Sequence, residues 1–117
     1  MRYAKWLRCH YEFPIRVPVY LSPHEEIVTM HGRKVCASFF APWDRKEEPY
    51  IRMATGDYPA MKKERGRDNA LASIINSLSH EVVHYQQWVE TGEIWERGVG
   101  VKATAMLRRY ARDVDRP

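Results

Sequence analysis

His80, Glu81 and His84 stand in the order His-Glu-x-x-His, and that spacing has a chemical reading. On a helix, residues four apart lie one turn apart on one face, so two imidazoles can reach a single zinc ion, Zn2+. Glu81 lies about 100° around the helix from His80. From there its carboxylate can take a proton from a water on the metal without being a ligand. Zinc acidifies that water and polarises a carbonyl for it to attack. His80 and His84 are therefore the expected ligands and Glu81 the expected general base. With five histidines in 117 residues, such a pattern arises by chance in roughly 2% of chains of this composition. The structural context the motif needs is a helix.

That helix is legible. Leu71, Ile75, Leu78, Val82, Tyr85 and Val89 recur at steps of three and four, the mark of one buried face. Asp68 or Asn69 suits its N-cap, and Thr91-Gly92 its end. Ser73, Asn76, Ser77, His80 and His84 form a small, polar strip opposite the apolar one, as a cleft lining should. A second helix is expected to begin between Glu93 and Arg97 and run to about Arg112. Its inward stripe would be Val99, Ala103, Met106, Leu107 and Tyr110.

The front of the chain reads as strands. Phe13 to Leu21 alternates apolar side chains with period two, but Pro14 and Pro18 remove donors and mark it as an edge or irregular strand. Ile27 to Met30 and Lys34 to Phe40 read as a hairpin around His31-Gly32. Pro49 to Thr55 is a further short strand, stopped by Gly56-Asp57, and residues 58 to 67 read as a charged connection. The expected fold class is α+β: one domain over residues 1–117, with a small mixed, largely antiparallel sheet followed by two packed helices.

Composition narrows the class. The length allows one core and not two. No apolar run is long enough to cross a bilayer, and the first residues lack the apolar stretch of a secretory signal. A cytoplasmic protein with no membrane partner is expected. Cys9 and Cys36 form no metal-binding pair, and two buried free thiols in a reducing compartment are the expectation. The net charge of +4 gathers at the two ends, in Arg2, Lys5 and Arg8 and then Arg97, Lys102, Arg108, Arg109, Arg112 and Arg116. A solvated face explains this better than nucleic acid, since no nucleic-acid motif accompanies it. His10, His24 and His31 fall in loops or turns and are expected at the surface. Trp6, Trp43, Trp88 and Trp95 are expected in core or lid packing.

The run Leu78-Ser79-His80-Glu81-Val82-Val83-His84-Tyr85-Gln86-Gln87-Trp88, placed after strands and before a second helix, resembles the zincin metallopeptidases. It is most similar to very small single-domain gluzincins. The resemblance covers about residues 50 to 110. It implies His80 and His84 as zinc ligands, Glu81 as general base, and a glutamate ligand on the second helix. It also implies an edge strand that pairs with extended substrate, for which Tyr50 to Thr55 is the candidate, and a peptide or protein as substrate.

A catalytic zinc needs a third protein ligand. Glu90 is about 240° around the helix from His84 and faces elsewhere, and Glu93 would sit far above the metal. Gly92 is about 12 Å beyond His84 along the helix. If the second helix starts at once, the residue level with His84 is Gly100. If Gly92 to Glu96 is extended, four residues cover about 13 Å and Glu96 is level instead. Small gluzincins have a longer spacer than the second case gives, and Gly100 stands where their pattern expects the glutamate. Glu96 is the first choice. The alternatives are a lost ligand, which would make the chain a catalytically weak or inactive zincin-fold binding domain, and an altered position 100.

Overall fold

The computed structural model describes residues 2–29, 32–44 and 46–114. His31 and Arg116 therefore lie outside the described residues. Two sheets and four helices are present among them, in a small α+β domain.

The sheet is mixed. β1 (Val19–Ser22) pairs in parallel with β5 (Tyr50–Ala54), and β4 (Ala37–Phe40) pairs with β5 from the other side, antiparallel. The order β1-β5-β4 puts the last strand in the middle. β2 (Ile27–Val28) and β3 (Lys34–Val35) form a separate two-stranded ladder, closed by the Thr29–Arg33 and Gly32–Thr29 backbone bonds. The expected long strand from Phe13 shrinks to β1. Its first half is held instead by Tyr85, whose hydroxyl bonds both the N–H and the carbonyl of Ile15. Such a clamp on an irregular, proline-bearing segment replaces a ladder.

Gly56 ends β5 for a steric reason. A Cβ there would lie 2.4 Å from the Pro23 carbonyl oxygen and 2.5 Å from the His24 carbonyl carbon, both backbone atoms. Gly56→Ala is expected to cost about 1–3 kcal/mol by overpacking, measurable as a lower urea midpoint at unchanged slope.

The expected motif helix is α3 (Arg67–Thr91). It starts at Arg67 with Gly66 at the N-cap and no side-chain cap, so neither Asp68 nor Asn69 caps it; the Asn69 side-chain amide donates back to the Arg65 carbonyl. Gly92 ends it in the left-handed conformation, its N–H bonded to the Trp88 carbonyl at 2.8 Å. Burial is concentrated from Leu78 to Trp88, where the helix is enclosed on several sides, while Leu71 stays exposed. Leu78, Val82 and Val83 meet Ile51 and Met53 of β5 and Val99 and Met106 of α4 (Val99–Val114) in one apolar cluster. At about 1.5–3 kcal/mol for each fully buried large apolar side chain, this cluster fixes the part of α3 that carries the motif.

Two helices arise where none was expected. α2 (Tyr58–Arg65) forms from the charged connection, with proline in its first turn and no buried residue. α1 (Arg2–His10) packs through Tyr3 and Leu7, one turn apart. Tyr3 donates to or accepts from Ser79 across 2.5 Å, beside the motif, and burial raises its phenol to about 12. Trp6 donates to Asp113 of α4 at 2.8 Å, and the Arg109 guanidinium lies over Trp6 and Tyr11 at 5.8 and 5.6 Å. That part of the basic C-terminal end is thus used in cation–π contact.

Cys9 and Cys36 are free, as expected, but exposed rather than buried; neither lies on an inward face. Trp88 is core, whereas Trp43 is fully exposed and packs nothing. His10 and His24 are at the surface as expected. No helix among the described residues is long and apolar enough to cross a membrane.

Candidate metal centre

His80 and His84 point the same way from α3, their ring centroids 5.0 Å apart. The segment after α3 decides the third group. Residues 93–96 belong to no helix or strand, a turn with Gly98 in the left-handed region follows, and α4 begins only at Val99. The second helix therefore does not start directly after Gly92. Glu96 is brought level with the histidines, and each of its oxygens meets one ring. Oε2 lies 3.1 Å from His80 Nε2 and Oε1 lies 2.9 Å from His84 Nε2.

The three side chains offer one ligand atom each, all within 4.8 Å of one another. A tetrahedral ion about 2.0–2.1 Å from each ligand needs them roughly 3.3 Å apart, so the group fits a metal with small adjustments. The donor set points the same way. His84 presents Nδ1 to the Gln87 amide oxygen at 3.0 Å and Nε2 to a carboxylate. Between a ring nitrogen and a carboxylate oxygen at 2.9 Å, a proton or a cation must sit. His84 is buried, His80 partly exposed, and the Glu96 side chain is 76% exposed; the site opens to solvent on the Glu96 side.

Glu81 leaves α3 at a different angle and joins no part of this cluster. It is buried, and burial raises its pKa above the ordinary 4.5, opposed by His84, His80 and the backbone N–H of Phe39 and reinforced by Glu96. Glu81, His84 and Glu96 line a cleft of about 430 Å³ with Ile94 and residues of β4. Along the return, Ile94 and Glu96 line this cleft and Trp95 lines a different groove beside Gln87.

Two expectations need correction. The strand beside the cleft is β4. The expected candidate, β5, is flanked on both sides and has no free edge. Gly100 is not a vacated ligand position. The Gly98 turn takes it out of line with Glu96, its Cβ direction is open space, and it borders a groove with Val101, Thr104 and Arg108. Gly100→Glu is accordingly expected to leave metal affinity unchanged. Gly100→Ala should add no more than about 0.5 kcal/mol of stability, less than the full glycine penalty because the position lies in the first helical turn; chemical denaturation measures it. The polar strip also divides: His80 and His84 reach the cluster, while Ser73 and Asn76 line a shallow groove with Thr104 and Leu107.

Gln87 and Ser79 were not among the expected functional residues. The place of Gln87 on the His84 face was legible, three residues on, but its role was not.

No protein-family model matches the chain, and neither a curated protein nor a solved structure is detectably similar to it.

Proposed function

We propose that the protein is a zinc-dependent peptidase of zincin type, with His80, His84 and Glu96 as ligands and Glu81 as general base. The observation that carries this reading is the convergence of a buried, unligated glutamate with a His-His-Glu group at the foot of an open strand edge. Bound there, zinc would supply a Lewis acid and a water of lowered pKa. Glu81 is suited to hold a proton at its carboxylate and release it to a leaving amine, because burial raises its pKa above the ordinary carboxylate value.

The edge of β4 suits an extended peptide. Ala54 donates to the Cys36 carbonyl, so Cys36, Ser38 and Phe40 direct their backbone groups at β5, and Ala37 and Phe39 direct theirs outward. Ala37 N–H and C=O and Phe39 C=O can then pair with one strand of substrate. The walls are mixed. Phe40, Tyr50, Val35 and Ile94 are apolar, and Arg33 and Arg52 are basic. No salt bridge engages either arginine among the described residues.

The reading of an inactive binding domain rested on glycine at position 100, and that position does not face the cluster. The test is direct. Protein stripped of metal and given one equivalent of zinc should cleave an unfolded protein substrate at peptide bonds, lose the activity to a chelator and regain it with zinc. Zinc-loaded protein that leaves such substrates intact overturns the proposal.

A further inference from the structure

We infer that Gln87 is a positioning residue that selects which nitrogen of His84 is free for the metal, and that the Trp95 backbone amide fixes Gln87 in turn. This rests on the zinc reading above and extends it to the residues that prepare the ligand. A peptide N–H can only donate. The atom 3.0 Å from the Trp95 nitrogen must therefore be the oxygen of the Gln87 amide. The same oxygen faces His84 Nδ1 at 3.0 Å, so Nδ1 carries a proton and donates it. The lone pair for a metal is then left on Nε2, the atom turned to Glu96.

Flipping the amide would set its NH2 against the Trp95 N–H, donor against donor. It would also oblige Nδ1 to accept, moving the ring proton to Nε2 and closing the coordination position. The orientation has a visible cost. Gln87 is buried, and its Nε2 meets no acceptor among the described residues. A side chain held with its oxygen used twice and its amino group unpaired is held there by the two donors. Trp95 directly precedes Glu96, so one oxygen anchors both the histidine ligand and the segment that delivers the carboxylate.

Zinc affinity by chelator competition and the His84 ring 15N spectrum of the zinc-loaded protein test this. Gln87→Met should weaken zinc binding 10–100-fold, whereas Gln87→Glu, which still accepts twice, should retain it. Trp95→Ala keeps the backbone donor and should bind as wild type. Trp95→Pro removes the donor and should weaken binding although Gln87 remains. The wild-type spectrum should show Nδ1 protonated and Nε2 metal-bound. Wild type that binds no zinc overturns the zinc reading and this inference together. Wild type that binds zinc overturns the inference alone if Gln87→Met and Trp95→Pro match it, or if His84 ligates through Nδ1. Should Gln87→Met fail to fold, the Trp95 pair decides.

Discussion

Glu96→Gln should abolish zinc-dependent stabilisation while leaving the metal-free protein almost as stable as wild type. The Glu96 side chain is 76% exposed, so little packing is lost with its charge, and exposed ion pairs contribute little to stability. With metal the situation differs. A ligand that binds only the folded state stabilises it by about 2.7 kcal/mol at one hundred times its Kd, on the order of 10 °C in Tm for a domain this size. The variant keeps two of the three proposed ligands and loses the only carboxylate among them. Thermal melts with zinc and with chelator should differ widely for wild type and hardly at all for Glu96→Gln. His84→Ala should give the same loss, with some added instability because that ring is buried. An undiminished zinc shift in Glu96→Gln would remove this residue from the ligand set.

Glu81→Gln should retain zinc and lose peptide hydrolysis by 10²–10⁴-fold or more, because an amide cannot take up the proton a base must take. A second effect has the opposite sign. Burial raises the Glu81 pKa above 4.5, so the folded protein holds this proton more tightly than the unfolded chain does. Its share of stability is present below the unfolded value and falls as pH rises through the folded one. The glutamine variant carries no charge to bury. Without metal it should be more stable than wild type at neutral pH, and the gain should vanish below about pH 4. Denaturation of both proteins across that range measures it. A glutamine variant that loses zinc would mean Glu81 is a ligand.

Much of the site was legible because helical geometry is rigid. The four-residue spacing of His80 and His84 survives any packing of α3, and simple chain-length arithmetic carried Glu96 back to their level once the return was taken as extended. What depends on neighbours was not legible. The burial of α1 rests on only Tyr3 and Leu7, too few to stand out as a period. Strand order is likewise absent from local pattern, since nothing within Tyr50–Ala54 says that two earlier strands will flank it. Gln87 looked like any polar helix residue, because its role depends on a backbone amide eight positions on.

The run from Glu93 to Glu96 behaves as a ruler with parity. Its side chains alternate, Ile94 and Glu96 to the cleft and Trp95 away. One added residue would lengthen the span by about 3.3 Å and invert the faces, presenting an indole where the carboxylate stands. Two added residues would restore the faces but overshoot by about 6–7 Å, more than the spread of the ligand cluster. Homologues and engineered variants should therefore keep a fixed count between the two helices, because there a frame of one residue decides whether the carboxylate of the proposed metal site meets the histidines.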